Sequence, residues 1–151
     1  MKTIEEEIAN KAGSYILILS NKQRREIKVG KLATLSLDKG YYIYVGSALG
    51  PGGVQARVKR HSKKDKKDHW HIDYLRSVTD LVSIWYLYSE DRFEHQFAEL
   101  FQKNDKIAVP LAGFGASDCA CAAHLFYSKE KPKFDKYKHD LEAEKLFRFR
   151  V

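Results

Sequence analysis

The chain has 151 residues, 44% hydrophobic and 13% aromatic, with Lys+Arg 27 against Asp+Glu 20 for a formal charge of +7. A chain of this length buries roughly 68–70% of its unfolded surface in one core without cross-links, and its apolar content excludes general disorder. No apolar run reaches the roughly 18–20 residues a membrane span needs, so no membrane partner is expected, and the positive balance favours a polyanion.

The opening MKTIEEEIANK is acidic and helix-prone, unlike a secretory signal. Residues 2–11 are expected as a short helix, with Thr3 as N-cap and Glu6 three positions on. GSYILILS (13–20) reads as a buried strand, residues 26–29 and 34–37 as two short strands turning at Gly30, and residues 41–46 as the next strand after an Asp-Lys-Gly turn. From Gly53 onward, Val54, Arg57, Val58 and His61 follow helical spacing behind a GPGG entry. SKKDKKD (62–68) is a charged loop and DYLRSV (73–78) a helical turn or two. LVSIWYLY (81–88) is an apolar central strand. FEHQFAELFQ (93–102) repeats its apolar residues as an amphipathic helix. AHLFYS (123–128) reads as the last strand, followed by a basic C-terminal surface helix near 132–147. No repeat or long linker divides the chain. One domain over 1–151 is expected, a compact α/β fold of the α+β type with a small central antiparallel sheet flanked by helices. The two cysteines, Cys119 and Cys121, stand one residue apart, too close for an unstrained bridge within a strand. That usage points to a reducing cytoplasm.

The segment YYIYVGSALGPGGVQARVKRH (41–61) joins an aromatic strand, a glycine-rich turn and a basic helix that sets Arg57 and His61 on one face. Alternation along a strand puts Gly13, Tyr15, Leu17 and Leu19 on one side and pairs Tyr42 with Tyr44 on the later strand. If those strands are neighbours, Tyr15 and Tyr44 converge near Gly46. Gly13 and Gly46 are read as structural turn residues. A phenol, a guanidinium and an imidazole beside a glycine suit a phosphodiester, whose cleavage asks for a proton acceptor and cationic donors. Glu94, on the later helix, could supply a metal ligand. Each residue alone has a plainer reading: tyrosine suits strands, and glutamate suits a first helical turn. The constellation, not any one member, carries a metal-dependent nuclease.

The ordered series resembles the GIY-YIG nuclease superfamily. Gly13-Ser14-Tyr15 stands where that family has GIY, and Tyr44-Val45-Gly46 where it has YIG. Arg57 falls at the family's arginine position, His61 at the histidine many members carry one turn later, and Glu94 at its metal-binding glutamate. YVGSA, RHxxxxxxxHWHIDYL and FGASDCACAAHL look like the Uri-type endonuclease branch, so the likeness spans nearly everything from Gly13 to Tyr127. Ser14 and Val45 both replace isoleucine, and an added strand pair separates the two triplets. Those strands must lie off the sheet if Tyr15 and Tyr44 are to meet. The resemblance implies hydrolysis of DNA. Mg²⁺ or Mn²⁺ would sit on Glu94, Tyr15 would take a proton from the attacking water, and Arg57 would clamp the phosphate. His61 and Tyr44 would hydrogen-bond the water or the phosphate.

Two further clusters bear on partners. Arg57, Lys59, Arg60, Lys63, Lys64, Lys66 and Lys67 form the densest basic stretch, placed to extend an electrostatic track along a nucleic-acid backbone, with His71 as a further phosphate contact. His95, Cys119, Cys121 and His124 could bind Zn²⁺, though C-x-C-x-x-H is not an established finger spacing. His69, His71 and Asp73 would line one face if extended, as in HxHxD metallo-hydrolases, but the chain is short for that fold. DNA is the expected partner, with RNA the alternative polymer and a protein partner a further source of specificity. The competing reading is a non-catalytic nucleic-acid-binding module of the same fold.

Overall fold

The computed structural model describes residues 2–31, 33–64, 71–104, 106–110, 124–141 and 145–151. Its elements run α1 (Ile4–Glu7), β1 (Gly13–Asn21), β2 (Arg25–Val29), β3 (Ala33–Leu37), β4 (Gly40–Ala48), α2 (Gly53–His61), α3 (His71–Arg76) and β5 (Asp80–Tyr88), then α4 (Glu94–Gln102), β6 (Ile107–Ala108), β7 (Leu125–Ser128), α5 (Phe134–Asp140) and β8 (Phe147–Arg150). Six strands form one sheet in the order β6-β7-β4-β1-β5-β8, and β2 and β3 form a second, two-stranded sheet. The pairings are antiparallel throughout. This is the expected α+β architecture.

β1 is apolar without alternation because both of its faces are covered. On one side Tyr15, Leu17 and Leu19 pack with Tyr42, Tyr44, Val54 and Val58 of β4 and α2, and with Ile72 and Leu75 of α3. On the other, Ile16, Ile18, Ile43 and Trp85 pack with Phe97 and Phe101 of α4 and with Phe134 and Tyr137 of α5. The sheet is therefore the middle of three layers.

β1 and β4 are immediate neighbours, with Tyr15 opposite Gly46 and Leu17 opposite Tyr44. The strand pair between them in sequence lies off the sheet. Val29, Leu35 and Leu37 bury its inner side in the cluster that holds Ile72 and Leu75, and burial of such side chains stabilises by about 1.5–3 kcal/mol each.

Several expectations are corrected. α1 is one turn, capped by Thr3, whose Oγ1 accepts from Glu6 N at 3.2 Å. It ends where Ile8 turns extended and enters the core, since so short a helix has little stability of its own. The basic helix near 132–147 is shorter: α5 stops at Asp140, and FRFR alternates as β8, pairing with β5. β7 is therefore not the last strand, and α5 buries Phe134 and Tyr137 rather than lying wholly on the surface. Gly13 and Gly46 sit inside strands, not turns. His71 and Asp73 lie on a helix, where residues two apart face different ways, so the extended HxHxD arrangement is not formed; His69 lies outside the described residues. Among the described residues no helix is long and apolar enough to cross a membrane.

Candidate functional site

The position of α2 is fixed at its first residue. Gly53 has φ +58, and a Cβ there would collide with the Lys11 carbonyl, the same group that accepts from Val54 N at 2.9 Å. Only glycine tolerates both the left-handed backbone and that approach. Val54 and Val58 are then buried, while Arg57 and His61, one turn apart, face the end of β1 and β4. The far end of the helix is held by Arg76, 2% exposed. Its guanidinium donates from Nε to the His61 carbonyl at 2.6 Å, from another nitrogen to the Ser62 carbonyl at 3.3 Å, and from the third to the Thr79 carbonyl. Helix C-termini leave such carbonyls unsatisfied, so a buried cation there both caps α2 and fixes His61. Nothing in the sequence marks Arg76 for that role.

His61 Nε2 is 2.8 Å from the Tyr15 hydroxyl. Both residues are buried, at 0% and 2% exposure. The Tyr44 ring stands edge-on to the imidazole, centroids 6.0 Å apart. Burial pushes the Tyr15 phenol well above its ordinary range. The Arg57 guanidinium beside it pulls down, and the Glu94 carboxylate pushes up. Tyr44 is raised for the same first reason, with Tyr15 and Glu94 adding to it and Arg57 opposing. Arg57, half-buried, also donates to the Ser47 carbonyl at 3.5 Å. Tyr15, Tyr44, Arg57, His61 and Glu94 therefore act on one another at one end of the central strands.

Glu94 reaches this place from the opposite layer. Phe93 N donates to Ser14 Oγ at 3.1 Å, which ties the start of α4 to β1. Ser14 is fully buried; its presence in an otherwise apolar run is the signal that could have pointed to it. The Glu94 carboxylate, 7% exposed, has Arg92 at 3.8 Å and His124 Nδ1 at 4.0 Å. His124 is in turn anchored by its carbonyl, which accepts from Val45 N at 2.9 Å. Among the described residues no group of three or more His, Cys, Asp or Glu side chains gathers. A cation here would take one carboxylate from the protein and the rest from water or substrate, a donor set suited to Mg²⁺ or Mn²⁺. For the Zn²⁺ set, His95 is exposed on α4 and His124 is buried beside Glu94, while Cys119 and Cys121 lie outside the described residues.

The basic stretch is less available than its sequence suggests. Lys59 pairs with Glu5 at 2.8 Å and Lys64 with Asp80 at 2.9 Å. Arg60 sends two nitrogens to the two oxygens of Asp73, at 2.7 and 2.9 Å. Asp73 is fully buried, so this pair braces α3 against α2. Lys63 is exposed, His71 is half-buried, and Lys66 and Lys67 lie outside the described residues. A phosphate would have to displace carboxylates from Lys59, Arg60 and Lys64.

No curated protein and no solved structure matches the chain. Residues 14–145 match the family described as Domain of unknown function DUF123, a span that holds Tyr15, Tyr44, Arg57, His61 and Glu94 together. The chain belongs to the DUF123 family.

Proposed function

We propose that the protein is a metal-dependent endonuclease of the GIY-YIG type, close to the Uri branch, hydrolysing DNA phosphodiester bonds. The observation that carries this reading is the 2.8 Å contact between Tyr15 Oη and His61 Nε2, with Arg57 and Glu94 acting on the same phenol. A buried phenol is neutral at ordinary pH and is by itself a weak base. With His61 Nε2 unprotonated, Tyr15 can take a proton from water at Oη while its own proton passes to the imidazole. The hydroxide so formed attacks phosphorus, and the leaving oxygen departs with the bonding electron pair and takes a proton from solvent. Arg57, whose planar fork matches a phosphate, offsets the charge that builds on the nonbridging oxygens. A divalent cation held by Glu94 supplies further charge neutralisation at phosphorus and at the leaving oxygen when bound.

The competing reading, a nucleic-acid-binding module without turnover, draws on the near-complete burial of Tyr15 and His61, which also suits a polar pair kept for packing. A panel of nicked, branched, single-stranded and duplex DNA incubated with Mg²⁺ or Mn²⁺ separates the two. The nuclease reading expects cation-dependent cleavage that Glu94→Ala abolishes while affinity stays near wild type. Binding without cleavage under all conditions favours the module. Cleavage that survives Glu94→Ala removes that carboxylate from the reaction. RNA in the same panel assigns the polymer.

A further inference from the structure

The five lysines Lys106, Lys129, Lys131, Lys133 and Lys136 are scattered over 31 positions of sequence but line one cleft of about 390 Å³. Glu130 is the single acid on its wall. All five are exposed. Among the described residues no carboxylate lies within ion-pair distance of any of them, in contrast to Lys59, Arg60 and Lys64. Among the described residues this lysine cluster is separate in sequence from the densest basic run.

The cleft is built rather than incidental. Asn104, at the exit of α4, donates from Nδ2 to Tyr137 Oη of α5 at 3.0 Å, tying its two walls together. Lys136 Nζ stands 5.6 Å from the centroid of the buried Tyr137 ring. Ser128 Oγ donates to the Glu130 carbonyl at 2.6 Å and shapes the loop that carries Lys129 and Lys131.

Two elements lead from the reacting end to this cleft. β7 runs from the residue after His124 to Ser128, and four residues of strand span about 13 Å. α4 runs from Glu94 to Gln102, a rise of about 12 Å. Phosphates follow one another at roughly 3.4 Å of axis along each strand of a duplex and also wind about that axis, so 12–13 Å corresponds to about two to four nucleotides. We infer that the lysine cleft holds the phosphodiester backbone of the substrate about two to four nucleotides from the reacting phosphate. This rests on the nuclease reading for its distance but on the cleft alone for its polyanion affinity.

Each phosphate released from its counterions adds about 0.9 to the slope of log affinity against log salt. The test compares wild type with the combined Lys129→Gln, Lys131→Gln, Lys133→Gln, Lys136→Gln variant, using a fluorescein-labelled 20-base-pair DNA duplex from 50 to 300 mM NaCl. A charge-matched control carries Lys22→Gln, Arg24→Gln, Lys28→Gln and Lys31→Gln, on β2 and the turns at either end of it. The cleft variant is expected to lose about 3–4 from the slope and at least tenfold in affinity at low salt, while the control moves little. Equal slopes for cleft variant and wild type overturn the inference, as does a control that falls as far as the cleft variant. Cleavage is read in parallel on nicked, branched, single-stranded and duplex DNA with Mg²⁺ or Mn²⁺. Loss of binding in the cleft variant with no cleavage by wild type keeps the cleft and removes the nuclease; cleavage by wild type with unchanged binding by the variant does the reverse.

Discussion

Tyr15 lies over the bare backbone of Gly46, so close that a Cβ at residue 46 would stand 2.6 Å from the ring Cζ and from the hydroxyl oxygen. The phenol is fixed by His61 and the β4 backbone by pairing to β1, so neither side can yield freely. Gly46→Ala is expected to destabilise by about 1–3 kcal/mol through overpacking and to displace the phenol from His61. Gly50→Ala, which would meet no heavy atom within 4 Å, is the control. Urea midpoints of the two variants check this; equal midpoints would mean that the ring moves aside without cost.

Arg60 and Asp73 make a two-point ion pair in which the carboxylate side chain is fully buried and the guanidinium side chain is 29% exposed. Removing one partner leaves an uncompensated charge inside. Arg60→Gln is expected to cost about 2–4 kcal/mol of stability, far more than Lys59→Gln or Lys64→Gln, whose partners sit in water and whose pairs are worth about 0–1 kcal/mol. Chemical denaturation of the three variants ranks them, and a neutral Arg60→Gln would return Arg60 to the set of candidate phosphate contacts.

Arg76 carries three backbone carbonyls from a buried position. Arg76→Met keeps much of the stem but strands the carbonyls of His61, Ser62 and Thr79. The expected loss is about 2–4 kcal/mol. The imidazole of His61 should also lose its fixed setting, visible as a changed histidine ring resonance in the folded variant. An unchanged resonance would show that packing alone holds His61.

Alkaline stability follows from the buried phenols. Tyr15, Tyr42 and Tyr44 are all raised above their ordinary value, by burial first in each case. A group that holds its proton more tightly when folded stabilises the fold fully below its unfolded pKa, near 10 for tyrosine, and that stabilisation falls as pH climbs from there toward the folded value. The fold is expected to lose about 1.4 kcal/mol per pH unit for each such phenol above pH 10. Unfolding free energies at pH 9 and pH 11 test this, with Tyr42→Phe and Tyr15→Phe each flattening the decline. An unaltered decline in both would place its origin elsewhere.

Much of this was legible in the sequence because it rests on local rules. The apolar run 13–20, the helical spacing of Val54, Arg57, Val58 and His61, and the amphipathic stretch from Glu94 each declare their element without tertiary help. The convergence of Tyr15, Tyr44, Arg57 and His61 follows once β1 and β4 pair directly. What escaped depends on contacts made at a distance. The residues FRFR sit at the end of a helix-like stretch and become β8 because the edge of β5 offers them partners. Ser14 stands out as a polar residue in an apolar run, but its partner, Phe93 N, shows only when α4 is brought against it. Ion pairing within the basic stretch was hidden for the same reason: Glu5, Asp73 and Asp80 are remote in sequence from the lysines and arginine they pair with.

The two borders of the large sheet differ in kind. β6 offers two residues, and β8 carries Arg148 and Arg150 at alternate positions. Unpaired strand borders template the addition of foreign strands, and brevity or positive charge discourages it. Among the described residues, these short or charged terminal strands border the long apolar strands β1, β4 and β5, an arrangement that discourages copies of the chain from stacking edge to edge.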